Sequence, residues 1–136
     1  MGIMMIALER LTVSPEPTME LMKDFWLFSE YFCPPDYHEQ NVGLNPWFFD
    51  KDNKLVSAGG KMCEPKVWYK HIKAFLEKRG YQLLGDPKLV YETDVDIDVR
   101  QLELERLIER FDNRKILEQR FLSEEIQVND EFDKEK

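Results

Sequence analysis

The sequence predicts an α+β fold, a small, mainly antiparallel sheet packed by two helices, followed by a helical C-terminal arm. Three observations carry this expectation. Apolar residues recur at three- and four-residue spacing near 18–31 and 65–79, and short β-branched and aromatic runs bounded by turn residues lie around them. The last third interleaves acids and bases at helical spacing. With 136 residues, 43% hydrophobic and 12% aromatic, the chain has apolar area for one core. Residues 1–126 therefore read as a single domain in which 98–126 form the arm, and 127–136 read as a flexible acidic tail.

Taken in order, Ile6, Leu8 and Leu11 with Thr12 and Val13 suit a strand between Ile3 and Val13, closed by Ser14-Pro15-Glu16-Pro17. Thr18 can cap a helix to about Tyr31 whose stripe is Leu21, Met22, Phe25, Phe28 and Phe32, and Pro34-Pro35 stops it. Trp47-Phe48-Phe49 and Leu55-Val56 around Asp50-Lys51-Asp52-Asn53-Lys54 read as a hairpin, because Asp and Asn side chains bond their own backbone and tolerate left-handed geometry. Pro65 suits the first turn of a second helix to about Arg79, with Trp68, Ile72, Phe75 and Leu76 inward and Gly80 as its left-handed cap.

Tyr81 to Leu84 and Lys88 to Tyr91 read as two strands flanking Gly85-Asp86-Pro87. Asp94 to Asp98 alternates as a strand would, with the strand ending before Asp98, which begins a capping box with Gln101. Val99, Leu102, Leu107, Ile108 and Phe111, then Ile116, Leu117, Phe121 and Leu122, read as one helix or as two divided at Asp112-Asn113. From Gln127 the apolar content is too low to repay ordering.

Charge is partitioned along the chain. Residues 1–50 hold two bases against eight acids, 51–91 nine bases against four acids, and 92–136 eight bases against fifteen acids, within a net charge of −8. Neutralisation between the blocks across the folded surface is the first expectation. The apolar start is cut by Glu9 and Arg10 and has no basic residue before it, and no run of eighteen apolar residues occurs. The chain is accordingly read as cytoplasmic, away from membranes, with Cys33 and Cys63 reduced.

Motifs for chemistry are sparse. Cys33, His38, Cys63 and His71 could offer zinc a Cys2His2 set, but their spacings lack the close pairs of structural sites, and His71 reads as an exposed imidazole. Asp94, Asp96, Asp98 and Glu105 fall at calcium-loop spacing, yet Val99 stands where the loop's sharp turn needs Gly. Gly59-Gly60-Lys61 lacks the phosphate-loop frame, and G-x-S-x-G, C-x-x-C and H-E-x-x-H are absent. No catalytic residue, metal ligand or cofactor is assigned. Lys66, Lys70 and Lys73 share one face of the second helix, with Lys78 and Arg79 at its end. That face is the candidate binding surface, and the overall acidity favours a protein over nucleic acid as its partner. In the arm, Leu104, Leu107, Phe111 and the Ile116 to Leu122 cluster could dock on the body or pair two copies as a homodimer.

The order Gly60-Lys61, Trp68, Phe75-Leu76, Gly80-Tyr81-Gln82-Leu83-Leu84-Gly85 and Tyr91 resembles small acidic uncharacterised proteins of bacterial chromosomes and prophages, over about Trp47 to Glu92. The resemblance implies a bacterial or phage accessory protein and brings no catalytic residues. The function expected is a non-enzymatic interaction protein binding another protein. The alternatives are an acidic inhibitor or decoy of a nucleic-acid-binding enzyme, and a small metal-dependent enzyme using the Cys/His set or the Asp94 to Asp98 carboxylates.

Overall fold

The computed structural model describes residues 4–32, 45–59, 65–94 and 96–134, with the side chains of the last helix up to Leu122. The order is β1 (Met5–Ala7), β2 (Thr12–Ser14), α1 (Met19–Tyr31), β3 (Trp47–Phe49), β4 (Leu55–Ser57), α2 (Pro65–Lys78), β5 (Gln82–Leu84), β6 (Leu89–Tyr91) and α3 (Val99–Lys134). This is the expected α+β class, and every strand pair is antiparallel.

The helix signals act as their chemistry requires. The Thr18 hydroxyl accepts from Leu21 N at 3.1 Å and opens α1, which buries Leu21, Met22 and Phe25. At the end of α2, Gly80 takes φ +84°, Gly80 N donates to Glu77 O and Tyr81 N to Leu76 O. That pair of bonds is the Schellman arrangement, which only a residue free of Cβ crowding adopts without strain. α2 buries Trp68, Ile72, Phe75 and Leu76, its expected stripe.

Met5 faces Tyr91, and seven residues on Thr12 faces Leu84, so one register runs through both pairings. Segments 5–14 and 82–91 are thus one ribbon, interrupted where Leu8 to Leu11 passes Gly85 to Lys88. Gly85 (φ +106°) and Lys88 (φ +48°) take left-handed geometry there, and Leu8 N and Glu9 N donate to Lys88 O and Pro87 O. Gly85-Asp86-Pro87 therefore interrupts a strand, and β5 and β6 both pair with the N-terminal segment. The same break divides the single strand expected over Ile3 to Val13 into β1 and β2.

The β3–β4 hairpin forms as predicted, with Asp50 Oδ1 accepting from Asp52 N and Lys54 N and Asn53 at φ +62°. Leu11 and Leu55 exchange backbone bonds of 2.8 and 2.9 Å, tying hairpin to ribbon. Trp47, Leu11, Leu55, Trp68, Ile72 and Leu76 lie fully buried at the centre. Phe25 joins the helices to the hairpin, its ring 5.1 Å from Phe49 and 5.9 Å from Phe75.

Two expectations change. Among the described residues the strand expected from Asp94 is not formed: the Asp94 carboxylate accepts from Tyr91 N, Glu92, Thr93 and Asp96 lie in turns, and Ile97 lies in a bend. α3 passes through Asp112-Asn113 as one helix and is helical to Lys134, across the stretch whose composition suggests a frayed tail. Charge blocks do meet across the fold: Lys88 pairs with Glu9, Arg79 lies 4.0 Å from Asp24, and Arg114 lies 3.3 Å from Glu30.

Candidate functional site

The seating of α3 is the unusual part of the molecule. Asp98 Oδ1 accepts from Gln101 N at 3.0 Å, the backbone half of the predicted capping box. Positions 99, 103, 106, 110, 113, 117 and 121 then recur at three- and four-residue steps and turn toward the body. Only Val99, Leu117 and Phe121 among them are apolar.

At the centre of this face Arg106 is buried, and its guanidinium donates to Ala7 O (3.2 Å), Ser57 O (2.9 Å) and Leu8 O (2.9 Å). These carbonyls lie at the end of β1, where the ribbon breaks, and at the end of β4. A fork of fixed donors can satisfy several such oxygens at once. Burial, the largest influence, and neighbouring Arg10 lower the Arg106 pKa from its ordinary value. Arg10 is the next contact: it grips Glu109 with two bonds, of 2.6 and 2.8 Å, and Asp50 with one of 2.7 Å. Its pKa is raised, chiefly by the bond to Glu109.

Further along, Arg110 donates to Asn45 O at 2.9 Å. Asn45 itself is buried, donates to the Ser29 hydroxyl and accepts from Trp47 N, so it links α1, β3 and α3. Arg114 lies 5.1 Å above the Trp26 ring, and Phe121 meets the same ring edge-on at 5.7 Å. Between these contacts lies an open, solvent-continuous cleft of roughly 530 Å³, lined among others by Trp26, Phe48, Glu30, Arg110 and Arg114.

With its polar side turned in, α3 presents an apolar side outward. Leu104, Leu107, Ile108, Phe111 and Leu122 keep between 45% and 59% of their surface open. This corrects the expectation that Leu104, Leu107 and Phe111 could dock on the body; of the later cluster, Leu117 is half-buried and Phe121 buried, whereas Ile116 and Leu122 are exposed. Contiguous exposed apolar surface of this kind marks interaction sites more often than free surface.

Lys66, Lys70 and Lys73 lie on the exposed side of α2, and Lys78 is exposed at its end. Arg79 turns away from them: its guanidinium sits 3.7 Å over the Phe75 ring and donates to Phe75 O. His71 is half-buried beside Phe32, at 5.4 Å, and Trp68, against the expectation of an exposed imidazole. Cys33, His38 and Cys63 lie outside the described residues. Among the described residues no three His, Cys, Asp or Glu side chains converge as metal ligands. Likewise among the described residues, no helix is long and apolar enough to cross a membrane.

The sequence signal for the seat of α3 was the run of arginines 106, 110 and 114 on the side that carries Val99, Leu117 and Phe121. Comparison with protein-family models, curated proteins and solved structures gave no significant match.

Proposed function

We propose that the chain is a non-enzymatic interaction protein, an accessory factor that binds another polypeptide along the outward side of α3. One observation carries the reading. The middle of the long helix is held to the body largely by guanidinium and carboxylate groups, and Leu104, Leu107, Ile108 and Phe111 are left facing solvent. A helix whose role ended at the core would turn that stripe inward, where each large side chain gains about 1.5–3 kcal/mol on full burial. The lysine side of α2 is the second candidate surface, supported by its exposure and its basic charge within an acidic chain.

A photo-reactive residue separates the two. Placed at Leu107 in the native host it is expected to cross-link to protein, while the same residue at Lys66 is not. Adducts from Lys66 alone would move the interface to α2. Their absence at both positions would end the interaction reading.

A further inference from the structure

The outward stripe of α3 has an internal order that selects its occupant. Leu104, Ile108, Phe111, Lys115, Glu118 and Leu122 follow one another at alternating steps of four and three residues, the spacing of a two-helix seam. Lys115 and Glu118 are both exposed; Lys115 lies 4.3 Å from the Phe111 ring and Glu118 pairs with Arg114 of its own helix. Read from Phe111 to Leu122 the seam runs apolar, positive, negative, apolar. Reversed end to end, that order complements itself.

We infer that a second copy of this chain occupies the stripe, its α3 running antiparallel, with Phe111 against the partner's Leu122 and Lys115 against the partner's Glu118. The inference rests on the interaction reading above and names its partner. The two-fold axis then passes between residues 116 and 117, every contact occurs twice, and the bodies lie on opposite outer sides of the helix pair. A parallel pair would place Lys115 against the partner's Lys115 and Glu118 against the partner's Glu118, which is repulsive.

Size agrees with this. At roughly 200 Å² per large apolar residue, half-exposed Leu104, Leu107, Ile108, Phe111 and Leu122 offer about 500 Å². A standard interface takes about 800 Å² per partner, a little over half of it apolar. The helical backbone continues to Lys134, far enough to run opposite the partner's Leu104 in this register.

Sedimentation equilibrium on the full chain tests the pairing, with far-UV circular dichroism of each variant to show that its helices persist. The wild type is expected at the mass of two chains. Lys115→Glu and Glu118→Lys should each raise the dissociation constant about tenfold or more, since each sets like charges face to face twice. The double variant Lys115→Glu/Glu118→Lys should restore it, and Phe111→Asp should give single chains. A monomeric wild type, a dimer indifferent to Phe111→Asp, or single variants as tight as the wild type would overturn the pairing. A monomer that still cross-links from Leu107 to another protein would sink the second copy and leave the interaction reading standing. A monomer with no adducts would remove both.

Discussion

α2 and α3 are amphipathic helices of one chain that were seated by opposite rules. α2 lays Trp68, Ile72, Phe75 and Leu76 on the core and leaves Lys66, Lys70 and Lys73 in water. α3 lays Arg106, Arg110 and Asn113 on the body and leaves Leu104, Leu107, Ile108 and Phe111 in water. The difference lies in what each helix meets. α2 meets aromatic side chains, which reward apolar area. α3 meets backbone carbonyls at Ala7, Leu8, Asn45, Phe49 and Ser57, which need donors more than they need methyl groups.

The contrast can be broken first at its apolar end. Trp68 keeps 1% of its surface exposed, so Trp68→Ala should cost about 3–5 kcal/mol in urea unfolding, enough to leave a domain of this size marginal. At the polar end, Arg106→Leu keeps the bulk and deletes three donors, and about 3 kcal/mol should be lost because buried carbonyls are left unpaired. Arg106→Lys should recover only part of it, an ammonium being a point charge where a fork is needed. An Arg106→Leu protein as stable as the wild type would mean that α3 is held without these three bonds, by Val99, Leu117 and Phe121 with the Arg10–Glu109 and Arg110–Asn45 contacts.

The same contrast explains how much could be read in advance. α1, α2 and the β3–β4 hairpin were legible because local chemistry and tertiary packing agree there: Thr18 caps, Gly80 closes the Schellman bonds, Asp50 folds its own turn, and the periodic apolar residues point inward. The orientation of α3 was not legible. Sequence patterning treats arginine as a solvent residue, and that holds unless the helix crosses a place where a ladder stops. The ribbon does stop, at Leu8 to Leu11 opposite Gly85 to Lys88, but a strand that pauses and resumes in one register looks from its sequence like a turn. The candidate site followed the same division, since the lysine side of α2 was visible in the sequence, whereas the outward stripe of α3 appears only once Arg106 is seen buried and Arg110 is seen bonded to Asn45 O.

A smaller effect sharpens the polar end further. Arg10 and Glu109 join β1–β2 to α3 by two bonds while both side chains stay partly open to solvent. A double-mutant cycle with Arg10→Ala and Glu109→Ala should give a coupling of about 1 kcal/mol that falls as salt is added. No coupling would leave Arg106 and Arg110 as the working contacts of the seat.

The smallest expected effect falls on α2, and its sign is what matters. The first turn of α2 carries no acid, and Lys66 stands there four residues before Lys70. Both the helix dipole and the like-charge spacing disfavour a lysine at that position. Lys66→Glu reverses each term, placing a carboxylate at the positive end of the helix and N-terminal to a lysine at the favourable distance. It should therefore stabilise the fold by about 0.5 kcal/mol in thermal or urea unfolding. If α2 merely offers a solvated lysine face, the variant gains stability and keeps its cross-links at Leu107. If the lysines hold an acidic partner, the same substitution gains stability and loses that partner, and the two surfaces of this chain are told apart by one change of sign.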